Sequence, residues 1–335
     1  ISDGSAVLGL GNVGPEAALP VMEGKCAIFK EFAGINAFPI CLKTQDVDEI
    51  VRTVIYISPV FGGINLEDIS APRCFEIEQK LQKALDLPVM HDDQHATAIA
   101  VLAGLFNAVK IVEKRLDQCK IVIVGCGAAG TAIAKLLAYI KLNNIIMVDS
   151  QGIISKDRLN LLPYKQELAG FTNKKNINGD LEKAVRHADI LIGVSSKNII
   201  TEDMIKSMHE NPIVFAMANP DPEVSFNNAC KWGIKVFATG RSDYPNQINN
   251  ALIFPGLFQG FLKAKVTKIT SQMKVNAAGA LASLVRKPAP ACFIPSIFDK
   301  RVAPTIAKSV TARLRPDRNR DELILPHLQK LSPRG

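Results

Sequence analysis

KIVIVGCGAAGTAIAKLL at residues 120–137, followed by IIMVD at 145–149, is the stretch on which the fold turns. An apolar run (120–124) enters the triplet Gly125-x-Gly127-x-x-Gly130, apolar residues at helical spacing follow (128–139), and a second apolar run ends in Asp149, 19 residues beyond Gly130. Each part has a physical task. Gly125 permits a tight turn, Gly127 lets a pyrophosphate approach the backbone, and Gly130 lets the helix pack closely on the strand. Amides at the helix start then hold the phosphates. Asp149 at the second strand end is suited to accept hydrogen bonds from the ribose hydroxyls, which favours NAD over its 2′-phosphorylated counterpart; Ser150 and Lys165 nearby keep NADP open. Gly125, Gly127, Ala128, Ala129, Gly130 and Asp149 are therefore the candidate dinucleotide-binding residues.

Working outward, short apolar runs alternate with helical stretches along the chain. Runs at 6–8, 26–29, 38–42, 120–124, 145–148, 189–193, 213–217 and 235–239 read as strands, and 96–112, 128–139 and 180–187 as helices. Strands that are apolar throughout and alternate with helices imply parallel sheets covered on both faces. The expected fold is α/β: a Rossmann-type, doubly wound parallel-sheet domain at 92–249, and a second, discontinuous α/β domain with its own parallel sheet at 1–91, completed by the helical segment 250–312. Residues 313–335 read as a basic tail.

Composition bounds the function class. The 335 residues are 47% hydrophobic and 21% charged, as in ordinary globular chains. No apolar run approaches the roughly 20 residues that span a bilayer, and the first residues carry no signal-peptide pattern. The expected compartment is the cytoplasm or an organelle matrix. Seven scattered cysteines without Cys-x-x-Cys spacing read as reduced thiols rather than disulfides or a zinc site. Of the net charge of +8, residues 301–335 hold eight Lys/Arg against three Asp/Glu, leaving +3 for the body, so the basic excess does not argue for nucleic acid. No membrane partner is expected either.

Two acidic pairs stand out: Glu67-Asp68 and, 24 residues on, Asp92-Asp93. Carboxylates that a fold gathers repel one another unless a cation or protons neutralise them, so the quartet points to a hard divalent ion, Mg²⁺ or Mn²⁺. The competing reading makes Asp92 and Asp93 caps of a helix starting near Ala96, with Glu67 and Asp68 solvated. A second glycine loop, Gly9-Leu-Gly11-Asn-Val-Gly14, lacks an acid at the next strand end, and a glycine turn explains it better than an adenosine site. If Gly11 and Gly14 do bind a ligand, it is the nicotinamide end or the substrate.

Taken together, Ala-Val-Leu-Gly-Leu-Gly-Asn (6 to 12), Pro-Val-Met-Glu-Gly-Lys25, Asn-Leu-Glu67-Asp68, His-Asp92-Asp93-Gln, the loop at 125–130, Ala-Asn219-Pro and Asn249-Asn250-Ala-Leu-Ile-Phe-Pro-Gly resemble the malic enzymes of the short bacterial type, in order from residue 1 to about 312. The resemblance implies oxidative decarboxylation of malate to pyruvate and CO₂ with NAD(P)⁺ and Mg²⁺ or Mn²⁺, by a homodimer or larger homo-oligomer. It makes Glu67, Asp68 and Asp93 the metal ligands, Lys25 the general base acting beside Asp93, and Asn219 and Asn250 the malate-binding groups. A partly desolvated lysine with a lowered pKa suits removal of the hydroxyl proton as hydride leaves.

The departures from the family pattern carry expectations of their own. The family's general acid is a tyrosine upstream of residue 1, and none of Tyr56, Tyr139, Tyr164 or Tyr244 stands in an equivalent motif. The chain thus reads as lacking its first segment, able to bind its ligands and slow to turn over. Ala96 replaces a family glycine, and the pattern diverges at 286–291 and after 312. Two rival functions follow: a metal-dependent hydroxy-acid dehydrogenase that does not decarboxylate, and a non-catalytic NAD-binding remnant.

Overall fold

The architecture is a computed structural model that describes residues 1–311; the tail expected at 313–335 lies outside them. The elements in order are α1 (Gly14–Ala33), α2 (Val47–Ile57), β1 (Ile64–Leu66), α3 (Arg73–Ala84), β2 (Val89–His91), α4 (Asp92–Ile111), β3 (Ile121–Val124), α5 (Ala128–Tyr139), β4 (Ile145–Asp149), β5 (Gly152–Ile153), α6 (Pro163–Phe171), α7 (Leu181–Val185), β6 (Ile190–Gly193), α8 (Glu202–Lys206), β7 (Ile213–Ala216), α9 (Phe226–Lys231), β8 (Val236–Thr239), α10 (Phe254–Ala264), α11 (Ser271–Ser283) and α12 (Val302–Thr311).

The larger sheet has the order β5-β4-β3-β6-β7-β8, parallel except for the short antiparallel β5. From β3 the chain winds to β4 on one side and to β6, β7 and β8 on the other. The order therefore reverses between β3 and β6, and the crevice outside their carboxyl ends is where open α/β sheets bind ligands. Apolar residues cover both faces of this sheet, as the unbroken apolar strands required.

The smaller sheet is the parallel pair β1 and β2, in register Ile64 to Val89 and Leu66 to His91. That register sets the acidic pairs side by side, since Glu67-Asp68 follow β1 and Asp92-Asp93 follow β2. Helix α4 starts at Asp92, four residues earlier than expected, and its residues from Ala98 to Val109 are buried almost without exception. A helix apolar on every side belongs in a core. Helix α11 packs on α4, where the buried Asn107 donates to the carbonyls of Ala282 and Phe293 (both 2.9 Å). Helix α10 packs on α1 through Phe29, whose ring meets Phe254 and Phe258 edge-on at 4.7 and 5.3 Å.

The strands expected at the N-terminus did not form as such. Residues 26–29 lie inside α1, whose buried face is Ala18, Met22, Phe29 and Ala33 at spacings of four and seven, the period of a helix and not of a strand. Residues 6–8 and 38–42 make only isolated bridges, Val7 to Gly11 and Ser2 to Cys41. The cysteines of the described residues are all free thiols.

Candidate functional site

Lys25 projects from the middle of α1 into the acidic cluster. Its Nζ lies 2.5 Å from Asp92 Oδ2 and 3.0 Å from Glu67 Oε1, and 4.6 Å from the centre of the Phe254 ring. Because Phe29 docks α1 on α10 one turn away, the lysine and Phe254 are held together by the same packing. Burial alone would lower the lysine pKa. Asp92, Glu67 and Asp93 more than reverse that, so Lys25 is held protonated, above its ordinary range. This corrects the expectation of a lowered pKa, because desolvation loses to three nearby carboxylates.

Glu67, Asp68 and Asp93 each present an oxygen within 4.8 Å of the other two. Asp68 takes a left-handed backbone (φ 54°), which Asp tolerates better than most residues, and its amide donates to Asp93 Oδ2 at 3.0 Å. Asp68 Oδ2 is buried and accepts no hydrogen bond. Burial and the Asp93 charge push the Asp68 carboxyl up to about 7, and burial pushes Glu67 well up against the opposing pull of Lys25. Three crowded oxygen donors, one of them orphaned, fit a hard divalent cation. Asp92 belongs with Lys25 instead. It is fully buried and forms the first residue of α4, with His91 in the capping position, so the capping reading fails for it. The turn is anchored by Glu78 of α3, which accepts from the His91 amide at 2.8 Å and bonds His95 at 2.9 Å. A cavity of about 130 Å³ lies on the apolar side of Lys25, walled by Met22, Phe29, Phe38, Phe61 and Phe258 and away from Asp68 and Asp93.

The glycine loop follows β3 with the conformation that its spacing implied. Gly125 has φ +107°, and a Cβ there would lie 2.4 Å from the Val194 carbonyl at the end of β6. A Cβ on Gly130 would lie 1.8 Å from the Gly125 carbonyl, whereas one on Gly127 would meet nothing within 4 Å. The loop is thus closed below and open above, as a phosphate cradle needs. Ala128 opens α5 and packs on the core of the β1/β2 half, while Ala129 continues the first turn of the helix. Asp149 ends β4 and is clasped by Arg158 at 2.8 Å and Lys165 at 2.6 Å, which outweigh burial and lower its pKa. Arg158 carried no motif that sequence reasoning could use.

The remaining candidates lie at turns of the backbone. Asn219 follows β7, its Nδ2 close to the Met217 carbonyl (3.4 Å) and 2.6 Å from where a Cβ on Gly240 would stand. Asn250 opens the short 3-10 turn Asn250–Leu252 that packs on α4 and leads to Phe254. Gly11 and Gly14 have φ +77° and +79°. Gly11 closes a tight hairpin with Val7, and Gly14 starts α1, so both serve the backbone turn. The tyrosines are engaged elsewhere: Tyr139 bonds Gln272, Tyr164 lies on Phe75, Tyr244 stacks on Phe226, and Tyr56 is exposed on α2.

Comparison with known proteins matches this geometry to one family. The profile described as "Malic enzyme, NAD binding domain" covers residues 94–315, and "Malic enzyme, N-terminal domain" covers 1–82. The NAD-dependent malic enzyme of Geobacillus stearothermophilus is 53% identical over 92% of this chain, and the bifunctional malic/malolactic enzyme of Bacillus subtilis (strain 168) is 52% identical over 92%. The chain spans 65% and 76% of their respective lengths. The crystal structure of the NAD-dependent malic enzyme of Thermotoga maritima, 46% identical, superposes with a TM-score of 0.89 over 92% of this chain and 82% of its own. With both family profiles matched in order along one chain and the fold superposing over 92% of it, this protein belongs to the malic enzyme family.

Proposed function

We propose that the protein oxidises and decarboxylates malate to pyruvate and CO₂, passing hydride to NAD⁺ or NADP⁺, with Glu67, Asp68 and Asp93 holding Mg²⁺ or Mn²⁺. The observation that carries this reading is the meeting of Lys25 and Asp92 with three clustered carboxylates on a half that packs against the glycine loop. The relatives' names, NAD-dependent for one and NADP-dependent for another at 46% identity, support it.

A bound divalent ion would supply positive charge for the hydroxyl and later enolate oxygen of the substrate, and offset the carboxylate charge. Lys25 Nζ is the base that receives the hydroxyl proton. It must first give up its own, and Asp92 at 2.5 Å is placed to share it. Phe254 lies under the ammonium at 4.6 Å and covers that side of it. Asn219 and Asn250 would donate to the malate carboxylates from either side, one from the sheet end and one from α10's approach. A bound dinucleotide would accept the hydride, with its phosphates on the 125–130 loop and its ribose at Asp149. The proton returned to the enolate carbon is not assigned to Tyr56, Tyr139, Tyr164 or Tyr244.

The test is malate labelled in the carboxyl group lost as CO₂, with NAD⁺ and Mn²⁺. Cofactor reduction with stoichiometric labelled CO₂ and pyruvate is expected. Reduction that leaves oxaloacetate and no CO₂ would convert the reading to a simple dehydrogenase, and nucleotide binding without any reduction would make the chain a non-catalytic member.

A further inference from the structure

We infer that Glu223 is a positioning residue that locks the loops after β6 and β7 together beside the nucleotide crevice and thereby fixes Asn219. The inference rests on the proposed role of Asn219 in holding malate. Glu223 is fully buried; its Oε1 accepts from the Ser195 amide at 2.8 Å and its Oε2 from the Ala218 amide at 3.1 Å. Its own carbonyl accepts from the Ile200 amide, which ties down the far side of the first loop. The slot for the carboxyl exists because residue 193 is glycine, where a Cβ would lie 2.4 Å from Glu223 Cδ.

Each end of this brace meets a candidate site residue. Val194, beside Ser195, fills the space under Gly125 of the phosphate loop, and Ala218 directly precedes Asn219. Among the described residues no lysine or arginine pairs with Glu223, so burial pushes its carboxyl up and the amide bonds oppose the shift. A carboxylate buried without a counter-ion is a poor space filler. Its two oxygens span the two loops just past the end of the β6/β7 ladder at Gly193 and Ala216, between that ladder and the backbone bonds from the Asn198 and Ile200 amides to the Pro222 and Glu223 carbonyls.

The experiment compares E223A, E223Q and G193A with the wild type, all in the full chain. E223A and G193A are expected to lose about 100-fold in kcat/KM for malate, and E223Q, which keeps one acceptor, about tenfold, as for a displaced binding group. Mn²⁺ affinity, read by calorimetry in the other half, should stay within about twofold. Folded E223A with malate kinetics within about threefold of wild type, or a parallel collapse of Mn²⁺ affinity, would overturn the inference. If the wild type does not turn over malate, the malate reading fails by itself and NAD⁺ affinity judges the brace: a loss of about tenfold in E223A supports it and no change refutes it. Should the variants not fold, hydrogen exchange in the wild type decides. The Ser195 and Ala218 amides should be protected like those of the sheet, and exchange as fast as at Ser196 and Lys197 would refute the brace.

Discussion

Asp149 shows how a side chain's partners change what its type alone predicts. An acid at the end of the second strand of a Rossmann unit argues for NAD, yet here Arg158 and Lys165 neutralise it, and the same two cations would face a 2′-phosphate. D149N removes the charge that repels the phosphate and leaves both cations unpaired. The NADP/NAD ratio of kcat/KM is expected to rise about tenfold, equivalent to roughly 1.4 kcal/mol. An unchanged ratio would mean the cations do not reach the ribose. Lys274 gives a residue-scale prediction with a pH signature. It donates to His95 Nδ1 at 2.9 Å, and burial lowers its pKa from 10.5 to about 8 against the pull of Glu78. Between those values the unfolded chain binds more protons than the folded one, so stability rises with pH across that window. The penalty for the buried ammonium is therefore full below pH 8 and gone above 10.5. K274M abolishes this titration, and the stability difference between variant and wild type should shift against the variant by up to roughly 3 kcal/mol from pH 8 to 10.5. Urea unfolding at the two limits that shows a constant difference would contradict it.

Elements show where sequence reasoning succeeded and where it ran out. The runs that became β3, β4, β6, β7 and β8 were legible because a strand buried on both faces must be apolar throughout. The helix at 128–139 was legible because the glycine loop marks its start. The run at 26–29 misled because four apolar residues fit a strand or one turn of a buried helix equally well. β1 and β2 are three residues each, too short to register, yet their parallel pairing alone brings Glu67-Asp68 to Asp92-Asp93. That the acidic pairs would gather could be expected from residue types; the pairing of Asp92 with Lys25 rather than with Glu67, Asp68 and Asp93 could not, because it depends on where α4 begins. Helix α4 also carries a test of how the halves share a core. N107L would leave the Ala282 and Phe293 carbonyls buried and unpaired, a loss of about 2–4 kcal/mol, seen as a lower denaturation midpoint at unchanged m-value. A loss under about 1 kcal/mol would show that the contact between α4 and α11 does not depend on this side chain.

At the scale of the whole molecule, the proposed malate oxidation would need the half with the acidic cluster and the nucleotide crevice in one register, and the hairpin at residues 7–11 bridges the two. Its base is fixed to the loop of the acidic cluster, where the Ala6 amide donates to the Asp68 carbonyl at 2.8 Å. Its tip reaches the turn after β7, where a Cβ on Gly9 would stand 2.8 Å from Pro220 Cδ and 3.0 Å from the Asn219 carbonyl. Gly11 shares the positive φ of Gly9 (+77° and +78°) but a Cβ there would meet nothing within 4 Å. The pair therefore separates backbone strain from contact between the halves. Alanine at either position incurs a similar conformational cost, on the order of 1 kcal/mol. Only G9A must also push against the Asn219-Pro220 turn. Displacement of a binding group by an ångström can lower turnover about 100-fold. G9A is thus expected to lose malate kcat/KM by about that factor while Mn²⁺ and NAD⁺, measured one at a time, still bind within about threefold of wild type. G11A should keep turnover within about tenfold. Equal losses in the two variants would show that the hairpin acts only through its own strain, and that the register of the two halves is set elsewhere.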